Sequence, residues 1–210
     1  EFSNNSAQDF EYNQDVASAY GVISFKLSKK YNFKGGLRSE YTSIDFNTIQ
    51  GGTQKNDYFN LFPSAILSRT LKGNATLKLS YNRRVQRPSL TYLNPFRNES
   101  DQFNIRQGEP TLNPELSDNL ELGYSTFIKG SVINASVFYR RTGGVIESSI
   151  MPISEGGFEK TLTTYINVGT AQTYGANLFA SYNPKPKWTL MTNLGVNTYE
   201  VSNSQTGVST

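Results

Sequence analysis

The sequence predicts an all-β chain: an antiparallel up-and-down transmembrane β-barrel, about eight strands of a larger barrel. Three observations predict it. Apolar and polar residues alternate at period two in segment after segment, and no stretch keeps a 3.6-residue apolar period. The connections alternate between short turns and long polar loops, which suits a barrel with a short-turn side and a long-loop side. Aromatic residues gather near the expected strand ends, where amphipathic rings favour the headgroup zone.

The elements follow in order. A first strand is expected near 15–28, closed by a short turn at Ser28–Asn32. In 33–42, Phe33, Gly35, Leu37, Ser39 and Tyr41 alternate with Lys34, Gly36, Arg38, Glu40 and Thr42. A polar segment, Asn47–Asn56, leads to a strand near 58–70, in which Pro63 cannot donate to a ladder and is expected to mark a bulge. The turn Lys72–Asn74 leads into 75–82, where Ala75, Leu77, Leu79 and Tyr81 alternate with Thr76, Lys78, Ser80 and Asn82. The longest loop, Pro88–Leu116, carries prolines 88, 95, 110 and 114, which stiffen it. Leu120, Leu122 and Tyr124 then mark a strand at 119–126, the turn Lys129–Ser131 follows, and 132–140 alternates with Phe138 as an exception. A third long loop is expected at Thr142–Thr163. Strands near 174–182 and 188–199, joined at Asn183–Lys187, complete the set.

This alternation sets the facing. Leu37, Leu77, Leu79, Leu122, Val137 and Leu190 are expected to meet lipid; Lys34, Arg38, Lys78 and Glu121 are expected to face a wet lumen. The expected girdle comprises Tyr31, Phe33, Phe127, Tyr182 and Trp188 at the short-turn end, and Tyr41, Tyr58, Phe59, Tyr81, Tyr139 and Tyr199 at the other.

Composition excludes several functions. With no His and no Cys in 210 residues, a structural zinc site, a haem histidine, a catalytic thiol and a Ser-His-Asp triad are absent. No cofactor is expected. The carboxylates Glu40, Glu121 and Glu147 lie on different segments, so no acid–base pair converges and no enzyme is expected. A net charge of +3, spread along the chain, argues against a nucleic-acid partner. The glycine pairs, such as Gly143-Gly144 and Gly156-Gly157, read as turns or small strand positions.

Three segments resemble a known family: Asp57-Tyr-Phe-Asn-Leu-Phe-Pro-Ser-Ala-Ile-Leu-Ser68, Leu79-Ser-Tyr-Asn-Arg-Arg-Val-Gln-Arg-Pro-Ser-Leu-Thr-Tyr-Leu-Asn-Pro-Phe96, and Gly108-Glu-Pro-Thr-Leu-Asn-Pro-Glu-Leu-Ser-Asp-Asn-Leu-Glu-Leu-Gly-Tyr124. They resemble the TonB-dependent outer-membrane receptors and transporters, and within them the outer-membrane β-barrel family. Glu109 stands where that pattern usually has Asn. The resemblance implies location in the outer membrane, contact with its lipid and lipopolysaccharide, and uptake of a nutrient ligand energised by TonB through a plug that this sequence lacks. It implies that residues 1–210 are part of a receptor-like β-barrel domain, and that the eight strands form an internal piece that does not close on itself. A non-transport outer-membrane barrel and a soluble β-sandwich binding module are the alternatives.

The candidate ligand-binding residues lie in the longest loop and at its rim: Arg84, Arg87, Tyr92, Phe96, Arg97 and Arg106. Arg83, Arg84 and Arg87 can attract an anionic ligand at the rim. The reading preferred for this cluster is pairing with lipopolysaccharide phosphates or with loop carboxylates such as Glu99 and Asp101.

Overall fold

A computed structural model describes residues 10–48, 52–128, 130–185 and 187–202. Eight long strands form one antiparallel meander: β1 (Phe10–Lys26), β2 (Tyr31–Thr48), β3 (Gly52–Thr70), β4 (Thr76–Gln86), β6 (Glu115–Ile128), β7 (Ser131–Glu155), β8 (Phe158–Lys185) and β9 (Trp188–Ser202). The loop between β4 and β6 adds one helical turn, α1 (Leu90–Leu93), and a three-residue strand, β5 (Asn104–Arg106), parallel to Thr161–Thr163 of β8. All nine strands belong to a single sheet. Among the described residues nothing supplies the second sheet that a β-sandwich requires.

The short turns expected at Ser28–Asn32 and Lys72–Asn74 fall between β1 and β2 and between β3 and β4; of the other two, Lys129 and Pro186 lie outside the described residues. Two expected loops are strand instead. β2 runs to Thr48 and β3 starts at Gly52, so residues 47, 48 and 52–56 continue the ladder, and residues 49–51 lie outside the described residues. β7 and β8 likewise continue through Thr142–Thr163 as one hairpin, closed where Glu155 opposes Phe158. Gly156 (φ 64°) and Gly157 (φ 81°) occupy its two turn positions. Positive φ at both is what a two-residue hairpin turn of matching twist demands. The start of β3 is polar on both faces, and in the β7–β8 hairpin apolar neighbours such as Ile150 and Met151 fall on both faces, so alternation could not reveal either stretch.

Pro63 makes no bulge. Its ladder with β2 keeps register through Leu37↔Pro63, but the ladder with β4 ends at the next pair, Ser64↔Asn82. The missing N–H stops pairing on one side only, and beyond it β3 and β4 separate.

Directly opposed residues share a face, so the register assigns both faces. Lys78, Gly123, Ser136, Asn177 and Gly195 form one row, and Leu79, Leu122, Val137, Ala176 and Val196 form the next row on the other side. Every residue expected to face lipid lies on the second side, and Lys34, Arg38, Lys78 and Glu121 lie on the first. The sheet curls toward the first. Loop residues Leu93 and Leu112 form one buried cluster with Ile44 and Phe46 of β2, and Tyr12, Tyr58, Ile146 and Tyr165 pack against it. Two leucines of one loop touch β1 to β3 and β7 to β8 together only if that face is concave. The convex face leaves Leu37 51%, Val137 55% and Leu190 55% exposed with no protein layer over them.

Tyrosines frame this convex face. On β8, Tyr174 and Tyr182 bracket Ala176, Leu178 and Ala180; on β2, Phe33 and Tyr41 bracket Gly35, Leu37 and Ser39. The row through Tyr174 passes Tyr139, Leu120, Tyr81 and Ala65 and reaches β2 at Gly35, six positions short of Tyr41. Six residues of rise over five strand spacings is roughly 20 Å in 24 Å, a tilt of about 40°. That lies within the range for strands crossing a membrane. Tyr58, Phe127 and Tyr199 depart from the expected girdle, because their register positions put them on the concave face.

The concave face also accommodates Phe138. A Cβ at Gly175, its cross-strand partner, would sit 2.4 Å from the Phe138 ring. The glycine is the space the ring fills. β1 and β9 are each paired on one side, and among the described residues no ladder joins the region of Val22 to that of Leu194. The sheet is open, as expected for part of a larger barrel.

Candidate functional site

The loop between β4 and β6 folds inward over the concave face at the long-loop end. Its root is an ion pair: Arg87 Nη2 lies 2.6 Å from Glu40 Oε2, and Arg38 Nε lies 2.9 Å from Glu40 Oε1. Glu40 is buried, so two guanidiniums supply the partners that a desolvated carboxylate requires.

The loop then doubles back. Gly108 N–H donates to Asn94 O (2.7 Å), Glu109 N–H donates to Tyr92 O (2.7 Å), and the Gln107 side-chain amide donates to Pro95 O (2.9 Å). A Cβ on Gly108 would come within 2.5–2.7 Å of the Asn94 and Tyr92 backbones, so only glycine permits this approach. β5 is tied to β8 by Thr161 N–H to Phe103 O (2.8 Å) and Gln107 N–H to Thr163 O (3.0 Å). Ile105 and Leu93 are 0% and 1% exposed, which seals the loop's underside.

The segment Glu109–Glu115 is a lock. The Glu109 carboxylate accepts from Thr111 N–H (3.0 Å) and Thr111 Oγ1 (2.6 Å), an acceptor role that an Asn carbonyl also fills. Leu112 is a core residue. Asn113 and Asn167 bond reciprocally, backbone to side-chain amide, at 2.9 Å each way. The Glu115 carboxylate accepts from Ile146 N–H at 2.8 Å.

The six candidate residues separate into three groups. Phe96 and Arg106 line one groove of about 570 Å³ at the mouth, with Tyr12, Leu90, Asn98 and Tyr165 among its other walls. Tyr92 stacks on Tyr165 with ring centroids 4.3 Å apart. Arg84 is separate: it lines a deeper groove of about 480 Å³ with Tyr20, Arg38, Phe62 and Asn82, where the Arg38 guanidinium lies 4.8 Å from the Phe62 ring centre. Arg87 and Arg97 are held by carboxylates, Arg87 by Glu40 and Arg97 by Glu155 (2.9 Å) and Glu99 (3.2 Å). Arg83 lines the same groove beside Arg84, but its guanidinium is committed to another partner. It stands on the convex face, bound to Asp118. Tyr12 and Tyr165 escaped the sequence reading because each lies on a strand far from the loop, and only the curl of the sheet brings them to it.

The chemistry at the mouth is aromatic rings, amides and one cation, Arg106, that forms no ion pair among the described residues. Asp101 lies on the loop's outer surface. The Asn104 side-chain amide, then the Phe103 N–H, hold its carboxyl below the usual aspartate range.

A family model described as the outer membrane protein beta-barrel family matches residues 1–210. The chain belongs to the outer membrane protein beta-barrel family. This β-barrel family member resides in the outer membrane, and its resemblance to TonB-dependent receptors is met at the level of fold. It is similar to the copper transporter OprC (TM-score 0.71, 17% identity, 92% of this chain and 30% of that one). It is similar to the siderophore receptor PirA from Pseudomonas aeruginosa (TM-score 0.64, 16% identity, 90% and 43%). It is also similar to the alcaligin outer-membrane receptor FauA from Bordetella pertussis (TM-score 0.61, 20% identity, 93% and 32%). This family member thus spans less than half of each. No curated protein sequence matches it.

Proposed function

We propose that this chain is wall and loop of a TonB-dependent receptor that takes up a nutrient across the outer membrane, and that residues 1–210 are part of its β-barrel domain. Lipid and lipopolysaccharide surround the convex face, and TonB acts through a plug outside this sequence. The observation that carries the reading is the inward fold of the β4–β6 loop. Leu93 and Leu112 anchor it to both flanks of the curl and hold open a groove whose walls include Phe96, Arg106 and Tyr165. Such a groove suits a ligand with a flat face and a negative charge, the rings stacking and the guanidinium pairing. Arg84 offers a second cation deeper in the lumen. The similar structures are named for copper, siderophore and alcaligin, which sets the panel to try.

The test is uptake by cells that depend on the full-length protein, offered copper(II), a ferric hydroxamate or a ferric catecholate. The reading expects uptake of a panel member and a loss of tenfold or more in the Phe96→Ala/Arg106→Ala double variant. Uptake at the parental rate by a correctly inserted double variant would refute the site.

A further inference from the structure

The convex face carries a cluster that transport does not use. Arg83 on β4, Asp118 on β6 and Arg141 on β7 stand side by side in one hydrogen-bonded row, Asp118 in the middle. Arg83 Nε and Nη2 bind Asp118 Oδ1 and Oδ2 at 2.8 and 3.0 Å. Arg83 Nη1 has no hydrogen bond among the described residues, and Arg141 is exposed with no ion pair there. Asp118 also accepts from Tyr81 Oη at 2.6 Å, so the carboxylate fixes Arg83 and Tyr81 together.

The height of this row is set by the girdle. Between Tyr41 on β2 and Tyr174 on β8, the tilted boundary crosses the intervening strands near Phe59, Arg83, Asp118 and Arg141, to within about two residues. One step toward the short-turn side lie Tyr81 and Tyr139, and one step further lie Leu79, Leu122 and Val137, each at least 42% exposed. Two strand spacings put the Arg83 and Arg141 backbones about 10 Å apart, a distance two guanidiniums can close around one phosphate.

We infer that Arg83 and Arg141 clamp a phosphate of a phosphorylated lipid headgroup in the outer leaflet, with Asp118 holding Arg83 in place and the acyl chains lying on Leu79, Leu122 and Val137. The order of charged row, tyrosine row and aliphatic rows matches the order of phosphate, glycerol or sugar, and chain in such a lipid. The alternation of β4 and β7 isolates the clamp. The next residues along, Arg84 and Arg140, face the lumen, where Arg140 Nε donates to Asn119 Oδ1 at 2.7 Å. The inference rests on the outward placement of the convex face and not on transport, so a barrel that moves no nutrient can still hold the lipid.

The experiment measures the thermal unfolding midpoint of the full-length protein in detergent with three additions: diphosphorylated lipid A, fully dephosphorylated lipid A, and inorganic phosphate. A ligand bound by the folded state alone raises the midpoint. The expected result is a rise of several degrees with phosphorylated lipid A only. The rise is lost in Arg83→Gln/Arg141→Gln and kept in Arg140→Gln, which removes a neighbouring arginine from the other face. An equal rise in the double variant would overturn the inference, as would an equal rise with dephosphorylated lipid A or with inorganic phosphate. If the double variant does not fold, Arg141→Gln alone, which leaves the Arg83–Asp118 pair intact, must show a reduced rise.

Discussion

Arg87 and Glu40 meet at 2.6 Å across an intervening strand, joining the root of the longest loop to the lumenal face of β2. β3 lies between them, and its ladder with β4 has already ended beside Pro63. The ion pair therefore closes a gap that backbone pairing leaves open. Glu40→Gln should loosen the loop root and lower stability by roughly 1–3 kcal/mol, less than a fully buried pair because Arg87 is partly exposed. Limited proteolysis within 88–114 should quicken, while Glu159→Gln, on the outer hairpin, should leave it unchanged.

Gly108→Ala should disrupt the loop's return. The new methyl meets backbone atoms of Asn94 and Tyr92, which cannot step aside as a flexible side chain would. A penalty of about 1–3 kcal/mol is expected for such overpacking. Loss of protection at the residue 108 and Glu109 amides by hydrogen exchange is the readout, with the amides of the β6–β7 ladder unaffected.

Neighbouring residues on β4 should respond in opposite ways to charge. Leu79→Arg places a cation on the lipid face and should destabilise by about 2–4 kcal/mol in a bilayer. A cation already stands at Lys78, on the lumenal face, and Ser80→Arg adds a second there at little cost. Folding titrations in lipid vesicles compare the two; equal penalties would mean that the facing is wrong.

Asp101 supplies the pH dependence of the loop surface. Its carboxyl is held below the usual range by Asn104 and by the Phe103 N–H. A depressed folded value means that the carboxylate stabilises the turn at neutral pH, and that this contribution is lost as pH falls through the folded value, below about pH 4. Protection of the Phe103 amide should fall in that window, and Asp101→Asn should remove the dependence.

Much of the wall was legible because the membrane imposes it. Leu77, Leu79, Leu122 and Val137 had to alternate with polar partners, so strands and facing could be read from spacing alone. The outer hairpin of β7 and β8 was not legible, because its apolar residues, Val145 beside Ile146 and Ile150 beside Met151, fall on both faces and carry no alternation. The groove proposed as the site was half legible. Phe96 and Arg106 announced themselves in a proline-stiffened loop, but the partners that close the groove, Tyr12 and Tyr165, are distant in sequence. Arg83, Arg84 and Arg87 looked like one cluster. The two-residue period sent Arg83 to the lipid side and Arg84 to the lumen, and Arg87, past the end of the ladder, went to Glu40.

The most direct test of the account is cysteine labelling in intact cells, made clean by a sequence with no native cysteine. The full-length protein carries either Ser100→Cys, on the long loop, or Lys30→Cys, at the turn between β1 and β2. A membrane-impermeant maleimide should label Ser100→Cys in intact cells and Lys30→Cys only after the outer membrane is breached. Labelling of Lys30→Cys and not Ser100→Cys in intact cells would contradict the account, because the loop proposed to receive the ligand would then lie on the wrong side of the membrane.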